Sequence, residues 1–147
     1  MRGSWLLVAV GCAVQGCSGG DQNPCVNCPA IAGTYTVIFN GSGNSSPGCA
    51  TLGIGSPQGP LFINQQGASL AGSAYSGFGL TGTLFDTNNF SLSGFGPDSG
   101  SLFIQARFVP GAADGGTIQN GLISTQYSGT QATGTVACSQ SFPFTAQ

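Results

Sequence analysis

The sequence predicts an all-β domain, and the first reason is a phrase that recurs in the middle of the chain. The copies are Leu70–Ser73, Leu80–Thr83 and Leu92–Gly94, which start ten and then twelve residues apart. That interval is the length of one short strand and one turn, so the repeat is typical of a meander. Apolar residues around the second copy, including Phe78 and Leu84, lie two or four positions apart, which places them on one face of a pleated sheet.

A further observation is that no segment of ten residues combines helical periodicity with capping residues. We therefore expect a small antiparallel up-and-down meander barrel of eight to ten short strands, with a β-sandwich as the alternative. Tight turns between consecutive strands favour the barrel. So do glycines at matching places in successive strands, because barrel corners need sharp bends. Pro143 lacks a ladder N–H, which predicts an edge there and an imperfectly closed barrel.

Each predicted strand rests on apolar residues that alternate with small or polar ones between breaker-rich turns. The first strand is Ile31–Phe39, followed by the loop Asn40–Gly48 and a short, weak strand at Ala50–Ile54. The remaining strands are predicted at Leu61–Gln65, Ser69–Tyr75, Gly79–Phe85, Phe90–Phe95, Leu102–Phe108, Thr117–Tyr127, Ala132–Cys138 and Phe142–Thr145. The connecting turns and loops include Asp86–Asn89, Pro97–Gly100 and Pro110–Gly116. Thr117–Tyr127 is either one long strand or a strand with a β-bulge at Gly121.

Residues 1–16 predict an export signal. Arg2 supplies a positive start and Trp5–Val14 an apolar run. As a helix this run would span about 15 Å, half of the ~30 Å hydrocarbon core, so it is a signal-peptide core rather than a membrane span. Val14–Cys17 then resembles the lipobox of bacterial lipoproteins, with an apolar residue and a small residue at the expected positions before the cysteine.

The lipoprotein resemblance implies that Cys17 is diacylated through its sulfur, that the signal is cut just before it, and that the new amino terminus is acylated. Two or three acyl chains, at ~0.8 kcal/mol per buried CH₂, make an effectively permanent membrane anchor. Ala9–Cys12 also fits the pattern but would leave a shorter apolar run, so Cys17 is preferred. An ordinary cleaved signal with incidental cysteines is the alternative. Ser18 goes with outer-membrane sorting in enteric bacteria, so we expect a lipid-anchored protein of the bacterial cell envelope, on the periplasmic face or cell surface of the outer membrane.

The remainder of the chain reads as one tether and one domain with very little charge. Residues 17–24 are polar and rich in breakers, which predicts a flexible tether, and residues 25–147 form the β-barrel domain. The sequence has no Glu, Lys or His, and loss of Arg2 with the signal leaves Arg107 against four aspartates, a net charge of −3. Such a surface cannot hold a phosphate backbone, so nucleic acid is not an expected partner.

Four cysteines follow the tether, and an even count in an exported chain predicts two disulfides. Cys49–Cys138 with Cys25–Cys28 is the preferred pairing. The first and last strands of a closed meander are neighbours, so a cysteine after strand one can reach one near the last strand. The crossed pairings among the four cysteines stay open. The Cys49–Cys138 loop of about ninety residues is worth roughly 4 kcal/mol in the chain-entropy model.

Three motifs resemble known ligand-binding or metal-binding sites, but a structural role explains each of them better. Gly77–Gly82 spells G-x-G-x-x-G, but a dinucleotide site needs a strand before it and a helix after it, and here a strand follows. Asp86–Asn88 resembles the start of a calcium loop, but Ser91 stands at its required glycine. Cys25-Val-Asn-Cys28 opens no helix and lacks further zinc ligands, so we expect no metal and no cofactor.

Catalysis is not expected. General acid–base chemistry needs tunable groups, and beside Arg107 the domain offers only Asp86, Asp98 and Asp114, all in turn sequences. A Ser-His-Asp triad is impossible without His. Enzyme activity would need the three aspartates clustered in one pocket.

One further resemblance concerns the architecture. Ile31–Tyr35 followed by Gly41 and Ser42, and later Leu80–Thr83, are similar to the opening strands of avidin-type barrels and, more loosely, of lipocalin-like ones. The resemblance covers about a quarter of the domain and implies a barrel. Avidins line the biotin site with Trp, whereas this domain has none and Tyr35 stands where the family's first Trp would be, so biotin binding is not implied.

The first functional hypothesis is a non-catalytic module that binds one small apolar ligand inside the barrel. The predicted inward residues are Tyr35, Val37, Leu61, Ile63, Leu70, Leu80, Leu84, Phe90, Leu92, Ile104 and Phe108. The candidate ligand-binding residues are Tyr35, Leu80, Phe90, Ile104, Arg107 and Phe108. Arg107 shares the opposite strand face with Phe103, and is either an anion-recognising group at the barrel mouth or an exposed or aspartate-paired residue.

The second hypothesis is a structural or adhesive envelope protein that works through exposed β edges and a surface rich in Ser, Thr and Asn, with another envelope protein as its partner. The interior discriminates between the two hypotheses. A barrel filled by its own side chains favours the second.

Overall fold

The computed structural model describes residues 23–75, 77–96, 100–111 and 115–147. The predicted signal peptide, the lipidation site Cys17 and most of the predicted tether lie outside the described residues. The same holds for Asp98 and Asp114.

The strands alternate buried and exposed residues, as the sequence pattern predicts. Their bounds are β1 Gly33–Tyr35, β2 Val37–Phe39, β3 Asn44–Ser45, β4 Leu61–Gln66, β5 Ser69–Ala74, β6 Phe78–Leu84, β7 Asn89–Phe95, β8 Ser101–Pro110, β9 Gly116–Gln131 and β10 Gly134–Ala146. One short helix, α1, covers Pro47–Thr51. No described helix has both the length and the apolar character needed to cross a membrane.

The strands form one antiparallel sheet that curls into a nearly closed barrel, which confirms the predicted meander. From β4 to β10 each strand pairs with the next along the chain, β1 pairs with β4, and β2 pairs with β10. The segment 33–39, interrupted only at Thr36, therefore joins the first and last strands of the meander. At the interruption the Thr36 N–H donates to the Gln147 carbonyl at 2.8 Å, which keeps the seam closed.

The predicted strand at Ala50–Ile54 is wrong, because this stretch begins within α1 and continues as irregular chain. Pro47 occupies the first helical turn, where its missing N–H costs nothing. The Leu52 N–H then donates to the Gly48 carbonyl at 3.0 Å. This local helical turn uses the backbone groups that a strand would have offered to a neighbour.

The two strands predicted at Ala132–Cys138 and Phe142–Thr145 are one continuous strand, β10. The Pro143 carbonyl accepts the Asn40 N–H at 2.9 Å, which shows that Pro143 faces the seam. Its missing N–H therefore falls on the side where β10, between its pairings with β2 and β3, has no regular partner, so the proline is tolerated inside the strand. The predicted edge is therefore a local gap in the seam.

The repeated glycines lie where neighbouring strands approach closely. A Cβ on Gly72, Gly82 or Gly94 would collide with a carbonyl oxygen of the adjacent strand. Leucine or isoleucine occupies the paired positions, with Leu70 and Leu92 on the two sides of Gly82. The repeat thus alternates a bulky inward residue with a glycine that lets the sheet curve, as the prediction of barrel corners requires.

The predicted bulge lies next to Gly121. The register of β8 with β9 shifts between Gln105 and Arg107, so Ala106 faces the extra residue. Asn120 takes it up in a left-handed conformation, with φ of 50°. A bulge of this kind bends the strand and redirects the neighbouring side chains.

Residues 23–31, the N-terminal segment, close one end of the barrel. The Cys25 N–H donates to the Leu84 carbonyl at 3.0 Å and the Asp86 N–H to the Asn23 carbonyl at 3.1 Å, which extends the sheet beside the β6–β7 turn. The segment then crosses to β4, where Ile31 is fully buried in the core. We call this the closed end.

Gln65 fastens the N-terminal segment at β4. Its Oε1 accepts the Ile31 N–H at 2.8 Å, and its Nε2 donates to the carbonyls of Pro29 and Gly67, each at 3.0 Å. One side chain therefore satisfies three backbone groups that no strand pairs.

At the far end, the β9–β10 hairpin extends beyond β8, and α1 packs against it. Disulfides join Cys25 to Cys28 and Cys49 to Cys138, which confirms the preferred pairing. The second bridge ties α1 to β10, and the Gln131 Nε2 donates to the Thr51 carbonyl at 3.0 Å. The first bridge closes a small loop within the N-terminal segment.

Candidate functional site

The interior of the barrel is filled by its own side chains. Ten of the eleven predicted inward residues are buried and Val37 is half-buried. Five candidate ligand-binding residues lie among them, in the core: Tyr35, Leu80, Phe90, Ile104 and Phe108. The Tyr35 hydroxyl donates to the Ile31 carbonyl at 2.7 Å, so it is occupied by the N-terminal segment.

Tyr75 is an interior residue that the sequence did not single out. Its hydroxyl is buried and has no hydrogen-bond partner among the described residues. Its backbone is left-handed, with φ of 48°, which is unusual for a bulky residue. Burial raises the pKa of Tyr75 well above its usual value of 10.0. In the sequence, the only signal for this orientation is the turn expected after β5. The left-handed backbone of Tyr75 in that turn directs its side chain into the core.

Gln140 and Thr125 form the buried polar contact of the far end. The Thr125 hydroxyl donates to the Gln140 Oε1 at 3.2 Å, and the Gln140 Nε2 donates to the Gly55 carbonyl at 3.2 Å. These contacts hold the loop after α1 onto β10. Both side chains have hydrogen-bond partners within the protein, which favours a structural role over a ligand-binding one.

Arg107, the sixth candidate, lies on the outer face of β8. Of the five interior candidates, Phe90 is the one that lies next to Arg107, because it follows the cross-strand partner Asn89 and lines the same surface recess, so the six residues do not form one site. Along the same outer face β8 presents Gln105 and the 40% exposed Phe103, at intervals of about 7 Å. Asn89 is the cross-strand partner of Arg107, and Leu122 is the partner of Gln105.

These outward residues surround a recess of about 570 Å³, which we call the Arg107 recess. Its walls are Phe85, Asn89, Phe103, Gln105, Arg107 and Leu122. Asn120, at the bulge, also lines it. The Asn89 Nδ2 donates to the Thr87 hydroxyl at 2.9 Å, which orients the amide at the edge of the recess. Alternation predicted the face of Arg107, and Gly121 indicated the nearby bulge, but no pattern indicated that Phe85 would form a wall of the recess.

Charge is sparse in the described part of the chain. Asp86 and Arg107 are its charged side chains, and both are exposed. Within the described ranges, no three His, Cys, Asp or Glu side chains are grouped as a metal site would need.

Comparisons with protein-family models, with curated proteins and with solved structures returned no significant match.

Proposed function

We propose that this chain is a lipid-anchored protein of the bacterial cell envelope whose non-catalytic barrel has a structural or adhesive role through its outer surface. We assign the role to the outer surface rather than to a ligand site inside the barrel because the inward side chains pack against one another and the N-terminal segment closes one end. The outer face of β7 and β8, in contrast, presents the exposed aromatic residues Phe95 and Phe103 among Ser and Thr.

The proposed anchor is consistent with the position of the N-terminal segment. Chain from Cys17 would enter the barrel at the closed end, so that the far end with its extended hairpin points away from the membrane. Cys17 is six residues before Asn23, a span of about 20 Å when extended. The barrel would therefore stand close to the lipid surface.

The anchor is tested by expressing the full chain with its own signal in a bacterium that processes lipoproteins. We expect the wild type in the membrane fraction, with a mass that corresponds to acylation at Cys17. Cys17→Ser should lose both the added mass and the membrane fraction. Cys12→Ser is the matched control, because it removes the competing cysteine and should change neither. An unchanged mass and fractionation for Cys17→Ser would refute the lipid anchor.

A small apolar ligand is the second candidate, and the Tyr75 hydroxyl is the observation that favours it. A buried hydroxyl without a partner costs about 1–3 kcal/mol, which a polar atom of a ligand would recover. Native mass spectrometry of the protein, purified from its producing cells, tests it. A co-purifying small molecule that is lost in Tyr75→Phe would support a carrier, and a bare protein mass would support the surface role.

A further inference from the structure

The Arg107 recess combines three kinds of group that are seldom found together on this surface. Arg107 is the only cation of the chain outside the predicted signal. Asn89 and Gln105 add planar amides, and Phe85 and Phe103 add aromatic surface. The neighbouring outward positions of β6 and β7 are mostly Gly, Thr and Ser, so the recess concentrates side chains that could recognise a ligand.

The geometry points to a carbohydrate ligand. A pyranose ring has a face of C–H groups and a rim of hydroxyls, so it matches a recess that presents aromatic rings beside amides. Phe103 lies beside Gln105, and Gln105 lies between Phe103 and Arg107 along β8. A protein partner fits less well, because stable protein interfaces bury about 800 Å² on each side around apolar anchors, and this recess is small and mixed in polarity.

Arg107 favours a carbohydrate that carries a carboxylate group. A guanidinium binds a carboxylate through two parallel hydrogen bonds, a geometry that neither hydroxyls nor amides reproduce. No described carboxylate pairs with Arg107, and Asp86, in the neighbouring turn, is not among the recess walls. The site therefore offers an anion a place that the protein's own described acids do not fill.

A second recess continues the same track. It lies between Phe95 and Phe103, over Gly79, Thr81 and Ser93, and shares Phe103 with the Arg107 recess. Phe95 is 79% exposed and is a diagonal neighbour of Phe103 across β7 and β8. Two adjoining recesses with a shared aromatic residue suit an extended chain rather than a single small molecule.

We propose that the outer face of β7 and β8 binds a glycan chain that carries carboxylate groups, with Arg107 on a carboxylate and Phe103 against a sugar ring. This proposal rests on the surface role given above and names its partner class. It does not require the lipid anchor.

The test is binding of the full-length protein, in detergent, to an array of oligosaccharides that contain uronic acids, each beside its carboxyl-reduced counterpart. We expect retention on acidic members and at least a tenfold loss of affinity on the reduced ones. Arg107→Gln should reproduce that loss, Arg107→Lys should recover part of it, and binding should weaken with added salt. Binding of no member, or equal binding of the reduced members, would overturn the proposal.

Phe103→Ala, with its matched control Phe62→Ala, tests the aromatic contact. Both phenylalanines are partly exposed on outer strand positions, at 40% and 45%, but Phe62 lies on β4, four strands away around the barrel. We expect at least a tenfold loss for Phe103→Ala and no change for Phe62→Ala, with equal thermal midpoints. Equal affinities for the two variants would contradict the assigned surface. The Cys17 fractionation is independent of both results, so a failed anchor and a failed glycan site are distinguishable.

Discussion

Gly72, Gly82 and Gly94 show how the absence of a side chain shapes this barrel. Each faces inward between larger residues on the neighbouring strands, and each lies against a carbonyl oxygen that a Cβ would strike. Gly79, on the same strand as Gly82, faces outward and has open space around its Cβ position. The same residue type therefore has different roles on the two faces of β6.

Gly82→Ala should lower the free energy of unfolding by about 2 kcal/mol, because the added methyl forces β6 and β7 apart. Gly79→Ala is the matched control and should stay within about 0.5 kcal/mol of the wild type. Urea denaturation followed by tyrosine fluorescence measures both. Equal stabilities for the two variants would show that close approach at Gly82 is not what requires glycine.

At the scale of elements, the N-terminal segment and the far-end hairpin stabilise opposite ends of the barrel by different means. The N-terminal segment is held by hydrogen bonds to Gln65, by strand-like pairing beside β6 and by the burial of Ile31. The hairpin of β9 and β10 is held by α1 and by the Cys49–Cys138 bridge. Each attachment can be removed separately.

Gln65→Ala should cost about 2 kcal/mol of stability, because it leaves the Ile31 N–H and the Pro29 carbonyl without their partner. Gln66→Ala removes an exposed amide from the next position and should be nearly neutral. Hydrogen exchange should show faster exchange of the Ile31 amide in the first variant alone. Unchanged protection at Ile31 would argue against this attachment.

Loss of the Cys49–Cys138 bridge should be more damaging than loss of Cys25–Cys28. The sequence separations are 89 and 3 residues, so the chain-entropy model makes the longer loop worth about 3 kcal/mol more than the shorter one. The paired alanine variants, compared by thermal unfolding under oxidising conditions, measure the difference. The reverse order would mean that native-state contacts of the N-terminal segment outweigh loop entropy.

For the whole molecule, the near absence of charge makes stability independent of most titrations. The chain has no His, and the cysteines of the described part are paired in disulfides. Its tyrosines are different, because burial raises the pKa of Tyr75 and that of Tyr35, and partial burial raises that of Tyr127. A tyrosine is neutral when protonated, and a raised pKa means that the folded state holds this proton more tightly than the unfolded state does. The free energy of unfolding is therefore fully retained below the unfolded pKa and falls as the pH rises from the unfolded pKa towards the folded one.

Stability should therefore be nearly constant from about pH 6 to pH 9 and fall as the pH rises past about 10, where unfolded tyrosines ionise. Each buried tyrosine that stays neutral contributes a slope of about 1.4 kcal/mol per pH unit. Tyr75→Phe should reduce this alkaline loss without destabilising the protein at pH 7, because its hydroxyl has no described partner. Urea midpoints at pH 7, 9 and 11 test this. An alkaline loss in Tyr75→Phe equal to that of the wild type would contradict it.

The architecture was predictable from the sequence because two-residue periodicity and breaker spacing are local signals. Topology favoured the observed disulfide pairing but left the crossed pairings open. The helix α1 was not predictable, because Ala50–Ile54 carries too few residues to distinguish a strand from one helical turn. The candidate site was only half predictable. Alternation placed Arg107 on the outer face, whereas the recess depends on the left-handed Asn120 and on Phe85, which a turn brings alongside.

The N-terminal segment also determines how the barrel would respond to a mechanical load. A pull on the N-terminus reaches first the two backbone hydrogen bonds that join Asn23 and Cys25 to β6 and the turn after it, and then the Gln65 contacts. Release of residues 23–31 would add up to about 30 Å of extended chain, less the length that the Cys25–Cys28 bridge withholds. After this release, the force acts along β1 and β2. Their hydrogen bonds to β4 and β10 lie across the direction of pulling, so they resist the force together, as bonds under shear. The segment would therefore act as an extensible joint that yields before the barrel does.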